Sequence, residues 1–563
     1  MPLCNIAAPA NRAVLRGRRG ERRLLLSLAA ILALAAPAAA QIEVKPLATI
    51  DAFSSGAGGP GLGADLWQGA ATPLVRQVLP TLGDRPMTPA AAMLARRLLS
   101  TGATAPEGAG SDEDLAGQRL LALIGLGDVR GADAIAHAAP SFSDSAPLAQ
   151  AAAEADLIQR HEDRACAIAQ ALTVGRDGTY WLKLRAFCQA MASDLDAAQT
   201  TFSLANEASH DQTFRRLMGA KLIGAGSPGA PSLRDGLDLA LTRSLGLDPG
   251  PALDGASPAV AAEIARDASL PPDTRLAAAA RALRGALTLD DLFEGGAPPL
   301  AASTPPPPGG PDPAAVDTSV PAATVIKALA ARPGVVAEAG LLSLALRQTD
   351  PTLTGQAVEA LLGRAKSVAD FTALSRLARP ALRALVEGGR TPTAPLLFAR
   401  AAVAAGDLET AKAIRARITV ESPGVTAADL AILDAAIAAL GPGGDPQTLD
   451  RLAERGAHDG PKAPTQAAAV LFLALGDPLG PDARAEVAGF DVARGTASPA
   501  RLALLEAARS KGEAAILALS LAADAGPAGP AVADRARIVA ALRRAGLAAD
   551  ARALAVEGLL AVK

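Results

Sequence analysis

Apolar positions between residues 180 and 191 repeat with helical spacing. Tyr180, Leu184, Phe187 and Met191 fall at offsets 0, 4, 7 and 11, and Trp181, Leu184, Cys188 and Met191 at 0, 3, 7 and 10. Both series share one broad face, so the spacing predicts an amphipathic helix whose rare aromatics belong to a core. A second pattern punctuates the chain. In GLGDVRGADAI (125–135), MASDLDAAQTT (191–201), AAGDLETAKAI (404–414) and RAGLAADARAL (544–554) a small residue precedes an alanine by five positions. The pairs are Gly127 and Ala132, Ser193 and Ala198, Gly406 and Ala411, and Gly546 and Ala551. A helix stopped by a small residue, a tight turn and a new helix with an aspartate in its first turn together make a helical hairpin.

The frame extends. QRHEDRACAIA (159–169) fits with His161 at the turn and Cys166 in the alanine slot, and Gly226 supplies another helix stop. Turns at 127, 161, 193 and 226 are 34, 32 and 33 residues apart, and Gly406, Gly444, Gly476, Gly512 and Gly546 are separated by 38, 32, 36 and 34. A period near 34 belongs to two-helix repeats. On this turn-plus-alanine signature the chain resembles tetratricopeptide-repeat proteins over residues 113–230 and 330–560. The best copy runs from Trp181 through Leu184 to Ala197 or Ala198 and Phe202, and most other copies lack the aromatic and glycine positions of that family. The resemblance implies an all-α fold, an α-solenoid of antiparallel helical hairpins. It implies no chemistry.

Between the two repeat blocks, residues 295–323 (GGAPPLAASTPPPPGGPDPAAVDTSVPAA) are too rich in Pro and Gly for helix or strand and predict an extended, partly polyproline linker. The expected organisation is a signal peptide at 1–40, an extended and helical segment at 41–112, a first repeat block at 113–294, the linker at 295–323 and a second block at 324–563. Within 41–112, residues 51–63 predict a flexible stretch and Asp65 to Leu79 a helix, with Trp67 packed against the first repeat.

The first forty residues set the compartment. Six arginines between Arg12 and Arg23 precede the apolar run LLLSLAAILALAA, then come Pro37 and Ala38-Ala39-Ala40. This is the layout of a secretory signal cleaved before Gln41, with too short an apolar run to span a membrane. Loss of six arginines and one glutamate takes the net charge from −3 to −8 over the remaining 523 residues. An acidic product without clustered Lys and Arg argues against nucleic acid and anionic membrane surfaces as partners. The expected location is a bacterial periplasm, with no stable membrane insertion after cleavage.

In that oxidising compartment the two remaining cysteines, Cys166 and Cys188, are expected to pair. The turn GRDG (175–178) joins the helix carrying Cys166, expected over about Asp163 to Val174, to the helix carrying Cys188. Each cysteine lies 11 positions from residue 177. Residues equidistant from the turn of an antiparallel pair lie level, and neighbouring alanines permit close approach, so a Cys166–Cys188 bridge is predicted.

Tests for chemistry return little. GAGGPG (56–61) and GAGSPG (224–229) satisfy the dinucleotide pattern but lack a strand before and a helix start after. HEDRA (161–165) lacks the second histidine of a zinc-protease helix, and His137, His161, His210 and His458 are scattered, which favours solvated side chains over a metal site. Glu421-Ser422 imitates the catalytic pair of soluble lytic transglycosylases without their surrounding motifs. No catalytic residue, cofactor or metal is expected. Two functions follow. One is a periplasmic, non-catalytic scaffold for envelope proteins, with Lys183, Arg185, Arg215, Arg216 and Lys221 presenting positive charge in a concave groove. The other is an envelope glycan- or peptidoglycan-active enzyme with dispersed carboxylates.

Overall fold

The computed structural model describes residues 53–562 apart from 60, 110–111, 139–141, 225–226, 300–320, 389–392, 442–445, 461 and 477. All of them belong to one compact unit, Ile50–Lys563. The predicted signal peptide, most of the predicted linker and the turn glycines Gly226 and Gly444 lie outside the described residues. Among those described the fold is all-helical: there is no β-strand, only an isolated bridge between Ala71 and Glu107. No described helix is long and apolar enough to cross a membrane.

The turn signature is a backbone motif. Gly127, Ser193, Gly406 and Gly546 all have left-handed φ angles, of 102°, 63°, 74° and 82°. The N–H of the following residue reaches back to the carbonyl five positions earlier: Asp128 to Leu123 (3.1 Å), Asp194 to Gln189 (2.9 Å), Asp407 to Ala402 (2.9 Å) and Leu547 to Leu542 (2.9 Å). That bond closes one helix, and the left-handed residue turns the chain into the next. Asp128, Asp194 and Asp407 then cap the new helix by accepting the N–H of Gly131, Ala197 and Thr410. The alanine five positions after each turn is fully buried.

The copy expected at His161 is displaced by one residue. Arg160 is the left-handed residue (φ 67°), His161 donates its N–H to Asp156 O (2.8 Å), and Ala165 rather than Cys166 fills the buried slot. The turns at 127, 160 and 193 are therefore 33 residues apart. An arginine pays an unfavourable left-handed backbone, so nothing local marks it as the turn. Gly512 is not a turn either; it lies inside the helix Lys511–Ala525, where a Cβ would stand 2.4 Å from Leu66 O.

Helices on either side of each turn pack on one another: Glu113–Gly125 on Val129–Ala136, Ala146–Ile158 on Glu162–Ala171, Thr179–Met191 on Leu195–Ala208, Pro395–Ala404 on Leu408–Arg415, and Val532–Arg544 on Ala548–Ala561. Contacts also join distant parts. Pro272–Ala282 packs on Val335–Arg347 across the predicted linker, Thr72–Asp84 on Lys511–Ala525, and Pro89–Ser100 on Lys511–Ala525 and Ala548–Ala561.

The helix expected over Asp65 to Leu79 begins instead at Thr72, with Pro73 in its first turn, because Gly69 takes a left-handed φ of 76° and breaks the chain ahead of it. Trp67 is fully buried, edge-on to Phe53 (6.4 Å) and beside Gly512 of the helix Lys511–Ala525. The buried Arg119 organises this N-terminal segment. It donates to the carbonyls of Leu99 (2.6 Å), Thr101 (2.8 Å), Phe53 (3.3 Å) and Ser55 (3.3 Å). One guanidinium thereby ties the loop at Phe53–Ser55 to the end of Pro89–Ser100, alongside the Ala103 N–H that also bonds Phe53 O (2.9 Å).

Candidate functional site

The predicted disulfide is present. Cys166 on Glu162–Ala171 and Cys188 on Thr179–Met191 are bonded, with Cα atoms 5.6 Å apart. The turn between them is the expected one, with Gly175 left-handed (φ 62°) and Gly178 donating to Gly175 O (3.0 Å). Trp181, Leu184 and Phe187 are buried, and Tyr180 stacks edge-on to Trp181 at 5.1 Å, so the aromatic cluster is core. Met191, placed on the same stripe, is exposed; it is the last helical residue and overhangs the turn.

The five cations divide. Lys183 bonds Asp211 (2.8 Å) and lies over the Phe214 ring (5.4 Å). Asp211 also takes Arg234 (3.0 Å) and caps Gln212–Ile223. Burial works against ionisation of Asp211, yet the bonds from Lys183, Arg234 and the Phe214 N–H hold its carboxyl well below the usual carboxylate range. Arg185 donates to Arg176 O (3.0 Å) and Arg216 to Pro228 O, each tying down a loop of its own chain. Arg215 is exposed and Lys221 half-buried.

Apolar exposure singles out the same region. Val174, Met191, Leu195, Leu204 and Ile223 are exposed, and only three other large apolar side chains among the described residues share that property. The helix Leu195–Ala208 buries only Ala198, Thr201 and Ala205. Three small residues suffice to seat it on Thr179–Met191, which leaves Leu195 (51% exposed) and Leu204 (49%) on its flanks and Ile223 (74%) at the end of the following helix. Leu195 and Leu204, nine residues apart, stand on opposite flanks of this helix, either side of its buried face.

Two buried acidic groups lie in the adjoining helices. Glu154 accepts the N–H of Gly236 and the Tyr180 hydroxyl (3.3 Å), fastening Ala146–Ile158 to the start of Gly236–Ser244 and to Thr179–Met191. Burial first, and then the charge of Asp235, push its carboxyl up to about 8. A carboxyl raised on folding binds a proton in the native state after the unfolded chain has lost it. Its stabilising contribution is therefore full below its unfolded value of 4.5 and is lost as the pH rises towards 8. Thermal melts between pH 5 and 9 should show the parent chain losing stability relative to Glu154→Gln, which has no such titration.

The second group gathers histidines that the sequence analysis treated as scattered. His137 and His161 both approach the buried Asp156, and Asp133 lies in the same cluster. The Asp133–His137 spacing of four on one helix was the local signal for it; the Asp156 side was not legible. A separate cavity of about 480 Å³ is lined by Arg96, Arg97, Arg130, Arg266, Asp128 and Asp291. Its Arg96 is held internally by Asp128 (2.7 Å) and Asp291 (2.8 Å). Comparison with protein-family models, with curated proteins and with solved structures finds no match to this chain.

Proposed function

We propose that this chain is an exported, non-catalytic scaffold of tetratricopeptide-like helical hairpins stacked as an α-solenoid, and that it docks an envelope protein through the surface of residues 191–223. The observation that carries the reading is the exposure of Met191, Leu195, Leu204 and Ile223 on three consecutive helices, the first of which is stapled by the Cys166–Cys188 bridge and the second seated by small residues. The three left-handed turns spaced by 33 residues support the repeat assignment. The disulfide and the arginine-then-apolar N-terminus support export to the periplasm. With Lys183, Arg185 and Arg216 committed to internal bonds, the surface relies on apolar contact, with Arg215 and Lys221 available at its edge.

Photo-crosslinking residues placed singly at Leu195, Leu204 and Ile223 in living cells should each yield a discrete adduct of the same partner. A position at the exposed Glu409 serves as control and should yield none. Leu195→Lys combined with Leu204→Lys should abolish the adduct formed from Ile223 while leaving the melting temperature nearly unchanged, because both side chains already face solvent. Equal adduct patterns from the control position would remove the docking surface from consideration.

A further inference from the structure

Asp156 is a carboxylate with no solvent exposure, and neither of its oxygens makes a hydrogen bond. An ionised side chain in such a place needs a cation or several donors. His137 turns Nε2 towards Asp156 Oδ2 at 4.0 Å, and His161 brings Nδ1 to 3.5 Å from Oδ1. The other ring nitrogen of His137 is engaged: Nδ1 lies 2.8 Å from Asp133 Oδ1 and 3.0 Å from Asp133 O. A carboxylate on Nδ1 with Nε2 turned inward is the arrangement that orients a metal-binding imidazole. Donor atoms of Asp133, His137 and Asp156 all fall within 4.8 Å of one another, and His161 reaches this group through Asp156 Oδ1 at 3.5 Å; donors about one tetrahedral zinc are roughly 3.3 Å apart.

The centre of this group is held by a cation from the chain itself. Arg164 places Nη2 at 3.1 Å from Asp156 Oδ1, 3.5 Å from Asp133 Oδ1 and against the His137 ring, and Nη1 at 3.3 Å from His161 Nδ1. Its guanidinium stands where the donors converge, yet the side chain is 43% exposed and can swing into solvent. The backbone sets the geometry. Asp133 and His137 share one turn of the helix end, and the His161 N–H bond to Asp156 O fixes those two residues across the left-handed Arg160.

We propose that His137, Asp156 and His161 bind a divalent transition metal of the zinc class, that Asp133 orients His137, and that Arg164 is the internal cation the metal displaces. Two imidazoles and a carboxylate favour zinc over calcium, which takes six to eight oxygen donors. Two carboxylates and two neutral imidazoles carry a charge of −2, which one divalent ion balances. The proposal is independent of the docking surface.

The test is titration calorimetry of the full exported chain, purified without a histidine tag, using zinc chloride, with calcium chloride as comparison. One equivalent of zinc should bind saturably and calcium should not. His137→Ala and His161→Ala should each weaken zinc binding at least tenfold, and Asp133→Asn by about tenfold. All three side chains are partly exposed, so circular dichroism should report an intact fold. Arg164→Gln should bind zinc more tightly than the parent chain, because the competing cation is gone. Cobalt(II) should give visible absorption bands that zinc abolishes. Absence of saturable zinc binding, or binding that the two histidine variants leave unaltered, overturns the site. Zinc binding no tighter in Arg164→Gln overturns the role given to the arginine.

Discussion

Glu557→Leu is expected to lower the stability of the folded chain by about 3–5 kcal/mol, the range for breaking a buried ion pair from one side. Glu557 is buried on the last helix and accepts the backbone N–H of Ala90 (2.6 Å), the second residue of Pro89–Ser100. That helix has no side-chain cap of its own, so Glu557 supplies the acceptor its first turn lacks and matches the positive end of its dipole. The second carboxylate oxygen faces the buried Arg535 at 3.9 Å. Burial raises the pKa of Glu557 and lowers that of Arg535, so both charges are held at the expense of desolvation and depend on each other. Leucine would leave Arg535 with only the carbonyls of Leu554 (3.3 Å), Pro530 (3.4 Å) and Ala528 (3.5 Å). Guanidinium chloride unfolding should show the midpoint shift, with Glu557→Gln falling between the two because it keeps an acceptor for Ala90. A Glu557→Leu midpoint equal to that of the parent would mean that Pro89–Ser100 and the last helix are held together by apolar packing alone.

Reduction of the Cys166–Cys188 bridge, or its replacement by two alanines, is expected to cost about 3 kcal/mol, the loop-closure entropy of a cross-link of this span. The loss should be local. Glu162–Ala171 buries only Ala165, Ile168 and Ala169, the least apolar contact of the helices flanking the bridge, so without the bridge it opens before the rest. Hydrogen exchange should show lost protection across residues 162–191 while Lys511–Ala525, buried along most of its length, keeps its own. Uniform exchange across both regions before and after reduction would show that the bridge adds nothing to the hairpin.

What could be read from the residues was what depends on near neighbours. A left-handed backbone followed by an aspartate cap marked the turns at Gly127, Ser193 and Gly406, because both effects act within five residues. The same reading slipped by one at Arg160, where an arginine occupies a position that normally declares itself by glycine. Counting from residue 177 identified the Cys166–Cys188 pair because an antiparallel hairpin converts sequence distance into height along the helices. Lys183 and Arg216 could not be assigned by such counting. Lys183 is neutralised by Asp211, 28 residues away, and Arg216 donates a hydrogen bond to a carbonyl 12 residues on in a loop.

The sequence by itself determined an all-helical chain, its hairpin turns, its buried alanine slots and its disulfide, since capping, backbone handedness and helical periodicity are short-range forces written in adjacent residues. Only the tertiary structure decided which distant helices meet. Glu557 caps a helix 467 residues earlier, Gly512 makes room for Leu66, and Asp156 draws His137 and His161 around one point. Burial and charge pairing at those places depend on side chains that approach through space, and closing such long loops leaves no periodic trace along the chain.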